Sequence, residues 1–506
     1  VTAGRIDPDA VRAGASDADS AFAAAIEALN AGREEEGLMQ VEPARTAFPS
    51  DARLWQAIGL LYRSLEDLAP AVEAFDKAAS LAPLDPLIAH SRARVALEAG
   101  LPAANLFERA HRLAPLDGQV LLGLAAAHFA EQGPAAALSS VEKQLHAHPG
   151  WLPGHDLAAR LRYLSDGTDG FTASFERALA TAPGHIDLWR GLIDTLMHAG
   201  QYDMALAAID RARTAAGLHL AFDVNEAACM AEKGEYEAAD RLFAPLAAVE
   251  DVTVAVRRIR HALRSGRPEA AAAIAEPLTI GPAANLVWPY LSIAWRMLGD
   301  PRLDWLEGDE RLVGIYDLAA ELPPLGALAE RLRALHVPTG QPLEQSVRGG
   351  TQTDGPLFAR IEPEIRALRK AVVAAVERHL AQLPPPDPDH PVLGLRRDRR
   401  IRFSGSWSVR LIGKGRHANH IHPAGWFSSA LYVALPEEPD RGAPPAGWLT
   451  LGQPQAELGL DLPPVRQIEP KPGRLVLFPS IMWHGTVPFE AGERLSVAFD
   501  VEPPRP

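Results

Sequence analysis

The chain has 506 residues, more than one ordinary core can organise, so at least two domains are expected. Its 47% hydrophobic and 23% charged residues are the proportions of a globular chain, and a net charge of −14 gives no overall field for holding nucleic acid or an anionic membrane. Cys229 is the only cysteine, which excludes a disulfide scaffold and any cysteine metal site.

No apolar run reaches membrane-spanning length and no secretory signal is visible, so a reducing, cytoplasmic setting is expected. Taken in chain order, the first feature is a repeat. The clearest unit, "RLWQAIGLLYRSLEDLAPAVEAFDKAASLAP", places large residues (Trp55, Tyr62, Phe75) against small ones (Gly59, Ala71, Ala78) and ends on Pro83. That pattern suits two antiparallel helices in close approach, the second stopped by proline. Prolines recur at Pro83, Pro115, Pro149 and Pro183, spaced 32, 34 and 34 residues. Second-helix positions recur as Ala103, Phe107, Ala110; as Ala137, Val141; and as Phe171, Phe175, Ala178. Weaker units run through "DLWRGLIDTLMHAGQYDMALAAIDRARTA" and "GEYEAADRLF" to "VWPYLSIAWRMLGD". The repeats resemble tetratricopeptide repeats, which implies about seven or eight helical hairpins over residues 17–300 stacked as an all-α solenoid. The concave face of such an array binds extended peptides or proteins; the plainer alternative is that the array only scaffolds the protein.

Residues 301–392 read as a helical linker with helices that support the β-rich region C-terminal to them. "DWLEGDERLVGIYDL" and "GALAERLRALH" read as helices, "VPTGQPLEQSVRGGTQTDGPLF" as a loop, and "IEPEIRALRKAVVAAVERHLAQL" as the last long helix, stopped by "PPPDPDHP". The basic run "GLRRDRRIRF" reads as a solvated strand or loop.

Residues 393–506 change to short runs rich in β-branched and aromatic residues: "RIRFSGSWSVRLI", "SSALYVALP", "GWLTLG", "GRLVLFPS" and "RLSVAFDVEP". Several short strands in about 110 residues predict a sandwich or barrel. Between the first two lies "GRHANHIHPAGWF", in which His420 and His422 flank one isoleucine and leave the same face if the backbone is extended. Later, His484 follows a strand and a proline turn, and Arg494 and Ser496 share one face of the last strand.

Together these stretches resemble the iron(II)- and 2-oxoglutarate-dependent oxygenases, and more narrowly an oxygenase family often fused to tetratricopeptide repeats; "QPLEQSVRGGTQT" is similar to a segment that precedes the barrel in that family. The resemblance covers about residues 300 to 506. It implies a double-stranded β-helix, or jelly roll, with flanking helices, holding Fe(II) at its open end. On this reading His420 and His484 are metal ligands, Arg494 grips the far carboxylate of 2-oxoglutarate, and Ser496 and Tyr432 add hydrogen bonds to it.

One departure matters. The usual motif is His-x-Asp, and His422 stands where the carboxylate would be. Either His422 is a third neutral ligand, or it points aside and water fills the position. We read it as the ligand, because Pro423 stiffens the turn and imidazole binds iron well. Three neutral ligands leave the metal one unit more positive than usual, which favours a dianionic cosubstrate. Cupins also carry His-x-His, but their glutamate three or four residues on is replaced here by Trp426 and Phe427. His417 is expected on the opposite face of the strand, and Trp407, Arg410 and Asn419 near the pocket.

The expected activity is a dioxygenase that hydroxylates a protein or peptide side chain recruited by the repeats. Dioxygen is consumed and 2-oxoglutarate is converted to succinate; no nucleic-acid or membrane partner is expected. The alternatives are a hydroxylase of a free small molecule such as an amino acid, and a noncatalytic interaction protein with a degenerate barrel.

Overall fold

The computed structural model describes residues 17–337, 343 and 345–505. Gln341, Pro342 and Glu344, in the segment that resembles the one preceding the barrel, lie outside the described residues. The chain divides into two compact units, Val1–Val141 with Asp354–Arg366 and Arg505–Pro506, and Glu142–Thr353 with Ala367–Pro504.

The first unit is helical hairpins: Ala18–Asn30 with Glu34–Ala47, Ala52–Ser64 with Leu68–Leu81, and Pro86–Glu98 with Ala104–Leu113. Their punctuation is local chemistry. Pro49, Pro83 and Pro115 each stand two residues beyond a helix end, and Asp51, Asp85 and Asp117 follow two residues later as N-caps of the next helix. Each aspartate accepts from backbone N–H groups that the helix leaves unpaired. The small residues are required by contact. A Cβ at Gly59 would lie 2.7 Å from the Phe75 ring, and one at Gly123 would lie 2.1 Å from Phe107. Ala359 and Ile361 from the later segment pack on the cluster around Leu68, Ala71 and Phe75.

In the second unit the same hairpins continue from Leu152 to Ala275, followed by Trp288–Leu298 with Arg302–Glu307. Pro149 and Pro183 stand where Pro83 did, and their carbonyls accept from the His155 Nε2–H (2.8 Å) and the Trp189 indole N–H (2.8 Å). Among the described residues, the helical repeat region therefore matches the expected tetratricopeptide-like pattern. No described helix is long and apolar enough to cross a membrane.

The C-terminal region is antiparallel β. Its strands are β1 (Gly314–Asp317), β2 (Val347–Gln352), β3 (Phe403–His417), β4 (Phe427–Ala434), β5 (Leu449–Leu451), β6 (Arg466–Ile468), β7 (Arg474–Pro479), β8 (His484–Thr486) and β9 (Glu493–Val501). One sheet has the order β1-β7-β4-β9-β3-β2 and the other β6-β5-β8. They share a core of Tyr432, Leu449, Leu451, Ile468, Val476 and Phe478, the two-layer arrangement expected of a double-stranded β-helix. The helix Pro363–Gln382 covers the outer face, where His379 meets the Phe427 ring edge-on at 4.8 Å.

Two stretches differ from the sequence reading. "GIYDL" is not helical: the helix stops at Glu307, and β1 pairs with β7 as an edge strand. "SVRGGTQT" is not loop: β2 pairs with β3, and its glycines serve a bulge between Arg348 and Gly350. Gly349 has φ 71°, and a Cβ at Gly350 would lie 2.3 Å from the Arg410 carbonyl oxygen.

His336 fastens β2 to β3. Its Nδ1 lies 2.8 Å from Thr351 Oγ1 and its Nε2 lies 3.1 Å from Ser408 Oγ. Burial, helped by Arg410, pushes this imidazole down to about 4 from 6.5. Across that window the unfolded chain takes up a proton that the folded chain refuses. Stability should therefore fall as pH drops from about 6.5 to 4 and level off below. His336→Gln should show a shallower fall in urea midpoint over the same range; an unchanged slope would reject the assignment.

Candidate metal centre

Two backbone bonds build the centre. His420 N–H donates to the His484 carbonyl (2.9 Å) and His484 N–H to the His420 carbonyl (3.0 Å). This mutual pair sets side by side two histidines 64 positions apart, with ring centroids 4.2 Å apart. His422 is fixed by its N–H donating to the Ser480 carbonyl (3.0 Å). Its ring lies 4.8 Å from that of His420 and 5.0 Å from that of His484. One ring nitrogen from each of the three lies within 4.8 Å of the other two.

The other ring nitrogens settle the tautomers. His420 Nδ1 is 2.8 Å from the Ala418 carbonyl and His484 Nδ1 is 3.0 Å from the Met482 carbonyl. A carbonyl only accepts, so both Nδ1 atoms carry the proton and both Nε2 atoms keep a lone pair. His422 Nδ1 is 2.7 Å from Asp500 Oδ1, with the same consequence. Burial pushes the His420 and His484 imidazoles well below 6.5, and the neighbouring histidines add to the shift. Three imidazoles, each offering one ring nitrogen to the same point, are a donor set that suits a first-row divalent cation.

The cluster opens into a cavity of about 590 Å³. Alternate residues of β9, Arg494, Ser496, Ala498 and Asp500, line it, while Leu495, Val497, Phe499 and Val501 are buried on the other face. Arg494 is 2% exposed. Its Nη1 donates to the Gly447 carbonyl (3.0 Å) and its guanidinium lies 4.9 Å from the Tyr432 ring centroid. Its Nε and the Tyr432 hydroxyl have no hydrogen-bond partner among the described residues, and no described carboxylate pairs with the guanidinium. Burial lowers the pKa of Arg494 and raises that of Tyr432. A buried cation without a counter-charge, beside an unpaired hydroxyl, is costly unless an anion enters.

The predicted residues thus fall into place unevenly. His420, His422, His484, Arg494 and Ser496 all line one cavity, whereas Tyr432 lies behind Arg494 rather than on the wall. Trp407 lines it too, edge-on to His422 at 5.5 Å, as does Asn419. Arg410 does not: three positions from Trp407 on β3, it faces the other way and pairs with Glu493 (2.6 Å). His417 is on the cavity side, not the far face. β3 ends at His417, so strand alternation does not run on to His420, and Ser346 Oγ sits 3.1 Å from His417 Nδ1 and 3.2 Å from His420 Nε2. The sequence reading missed Asp500, although its even spacing from Arg494 on one strand was available as a signal. It also missed His198 from a repeat helix, with Gln455 and Glu457, all of which line the cavity.

Residues 405–500 match the family model described as "Putative 2OG-Fe(II) oxygenase". No curated protein matches the chain. Among solved structures, a prolyl-4-hydroxylase from Pseudomonas putida is 19% identical with a TM-score of 0.26, over 38% of this chain and 92% of that one. A tetratricopeptide repeat protein from Parabacteroides merdae is 16% identical with a TM-score of 0.31, over 55% of this chain and 98% of that one. Yeast Tom70 is 15% identical with a TM-score of 0.35, over 60% and 67%.

Proposed function

From a tetratricopeptide repeat array joined to a 2OG-Fe(II) oxygenase domain, we propose an Fe(II)- and 2-oxoglutarate-dependent dioxygenase that hydroxylates a protein or peptide side chain recruited by the repeats. His420, His422 and His484 hold the iron through Nε2. Arg494 takes the distal carboxylate of 2-oxoglutarate, with hydroxyls from Ser496 and Tyr432 beside it. Bound there, iron and 2-oxoglutarate supply the oxidation: dioxygen and 2-oxoglutarate are consumed, succinate and carbon dioxide leave, and one oxygen atom is added to a carbon of the substrate. The observation that carries the reading is Arg494, a buried guanidinium with no carboxylate partner among the described residues, on the same cavity as three clustered imidazoles.

The chain's own residues do three things. The three histidines, each locked by its Nδ1 bond, present their Nε2 atoms without reorganising. Arg494 fixes the cosubstrate's direction by charge and by a planar fork of donors. Trp407 and Phe478 line the cavity with apolar surface, which limits water around the oxidant.

One repeat-borne residue, His198, lines the cavity, which supports delivery of the substrate by the array. His198 comes from the last turn of the helix Ile186–His198, and the side-chain amide of the cavity residue Gln455 lies against the guanidinium of Arg260, on the helix Val252–Arg264. The last hairpin and the turn that precedes it also hold the residues next to two of the histidines. The Trp483 indole N–H donates to the Pro289 carbonyl (2.9 Å), and the Asn285 amide donates to the Pro423 carbonyl (3.2 Å).

The test is succinate formation by the full chain with Fe(II) and 2-oxoglutarate, followed by mass spectrometry of host proteins from matched strains with and without it. A protein that gains one oxygen atom only when this chain is present supports the reading. Oxygen added only to free amino acids would move the substrate to small molecules. Absence of succinate with every substrate offered would reject catalysis.

A further inference from the structure

We propose that Asp500 is a positioning residue that supplies the metal centre's negative charge through His422, in place of a carboxylate ligand. This rests on the reading of His422 as the third ligand. The three imidazoles are not equivalent. His420 and His484 are backed at Nδ1 by neutral carbonyls of residues two positions earlier, whereas His422 is backed by a carboxylate at 2.7 Å. A carboxylate behind a ligating imidazole fixes its tautomer and raises the basicity of the nitrogen that faces the metal. The anion missing from the His-x-His motif is therefore present, one imidazole further from the metal.

Asp500 is built into this place. It is 8% exposed, and its Oδ1 also accepts from the Ser428 hydroxyl (2.6 Å), which lies 2.9 Å from the Ser480 hydroxyl. Ser428 and Asp500 are direct partners across β4 and β9. The turn after His422 closes against it: a Cβ at Gly425 would lie 2.4 Å from Ser480 Oγ and 3.1 Å from Asp500 Cβ. No Lys or Arg is paired with Asp500 among the described residues, so its charge is directed at His422.

The test is calorimetric titration of the full-length chain with Co(II), a readout independent of turnover, together with the visible absorption of the bound ion. Asp500→Asn keeps an oxygen that can accept from Nδ1–H and removes only the charge. It should weaken Co(II) binding about 10–100-fold. In a His422→Ala background the same change should have an effect within about twofold, the limit for uncoupled sites. The exchange variant His422→Asp with Asp500→Asn should bind more tightly than His422→Ala with Asp500→Asn, because the carboxylate has returned to the ligand position. Equal losses in both backgrounds, or Asp500→Asn at wild-type affinity while His422→Ala is weakened, would overturn the role of Asp500. Wild-type affinity in His422→Ala would overturn the three-histidine reading itself.

Discussion

His420→Ala and His484→Ala each abolish measurable metal binding, while His422→Ala weakens it and leaves a residue of affinity. The expectation follows from how the three are held. His420 and His484 form one unit through two reciprocal backbone bonds, so each presents its Nε2 at a position fixed by the other's main chain. Removing either ring leaves two ligands, one of them His422. Loss of an outer partner alone costs metal sites about 10–100-fold, so loss of a direct ligand should exceed a hundredfold. His422 is attached by one backbone bond and a side-chain bond to Asp500, and it stands where water can take its place at a smaller loss. Anaerobic calorimetry with Fe(II) reads the three affinities. Circular dichroism provides the control, since the backbone bonds of residues 420 and 484 need no imidazole. Undiminished affinity in all three variants would remove the metal assignment.

What could be read from the sequence was set by the range of the interactions. The hairpins were legible because their signals are local. Pro83 ends a helix, Gly59 makes room for Phe75, and both recur at a nearly constant period. The Asp caps at Asp51, Asp85 and Asp117 carried the same information and went unread. The candidate metal residues were legible as types in an order, although the pairing of His420 with His484 depends on a tertiary contact that no spacing encodes. Edge strands were the weak point. β1 has four residues and β2 contains two glycines, so neither carries alternation long enough to recognise; each exists because a neighbouring strand offers unpaired backbone groups. Arg410 and His417 failed for a different reason. Alternation was not applied between Trp407 and Arg410, whose odd spacing on β3 puts them on opposite faces, and it was carried past the end of β3 at His417 in the other case. Asp500 has no motif of its own. Its role appears only when β9 is laid beside β4 and the histidine turn.

Arg494→Ala raises the concentration of 2-oxoglutarate needed for binding by at least about a hundredfold. Breaking a buried charge pair costs about 3–5 kcal/mol, and each 1.4 kcal/mol is a factor of ten in affinity. Arg494→Lys should fall between the two, because it keeps a charge but loses the fork and the stacking on Tyr432. Before any ligand enters, the buried guanidinium is offset by little more than its hydrogen bond to the Gly447 carbonyl. The free Arg494→Ala chain should therefore be at least as resistant to unfolding as the wild type, which sets this loss apart from a folding defect. Ligand linkage then separates the two chains: saturating 2-oxoglutarate raises the wild-type Tm according to how far its concentration exceeds Kd, and leaves the variant's Tm nearly unmoved. Metal affinity, read by the same titration used for the histidine variants, should change little, because Arg494 contacts none of the three imidazoles through a hydrogen bond. Unchanged 2-oxoglutarate affinity in Arg494→Ala would mean that the dicarboxylate is held elsewhere, and the buried guanidinium would then need another anion to explain it.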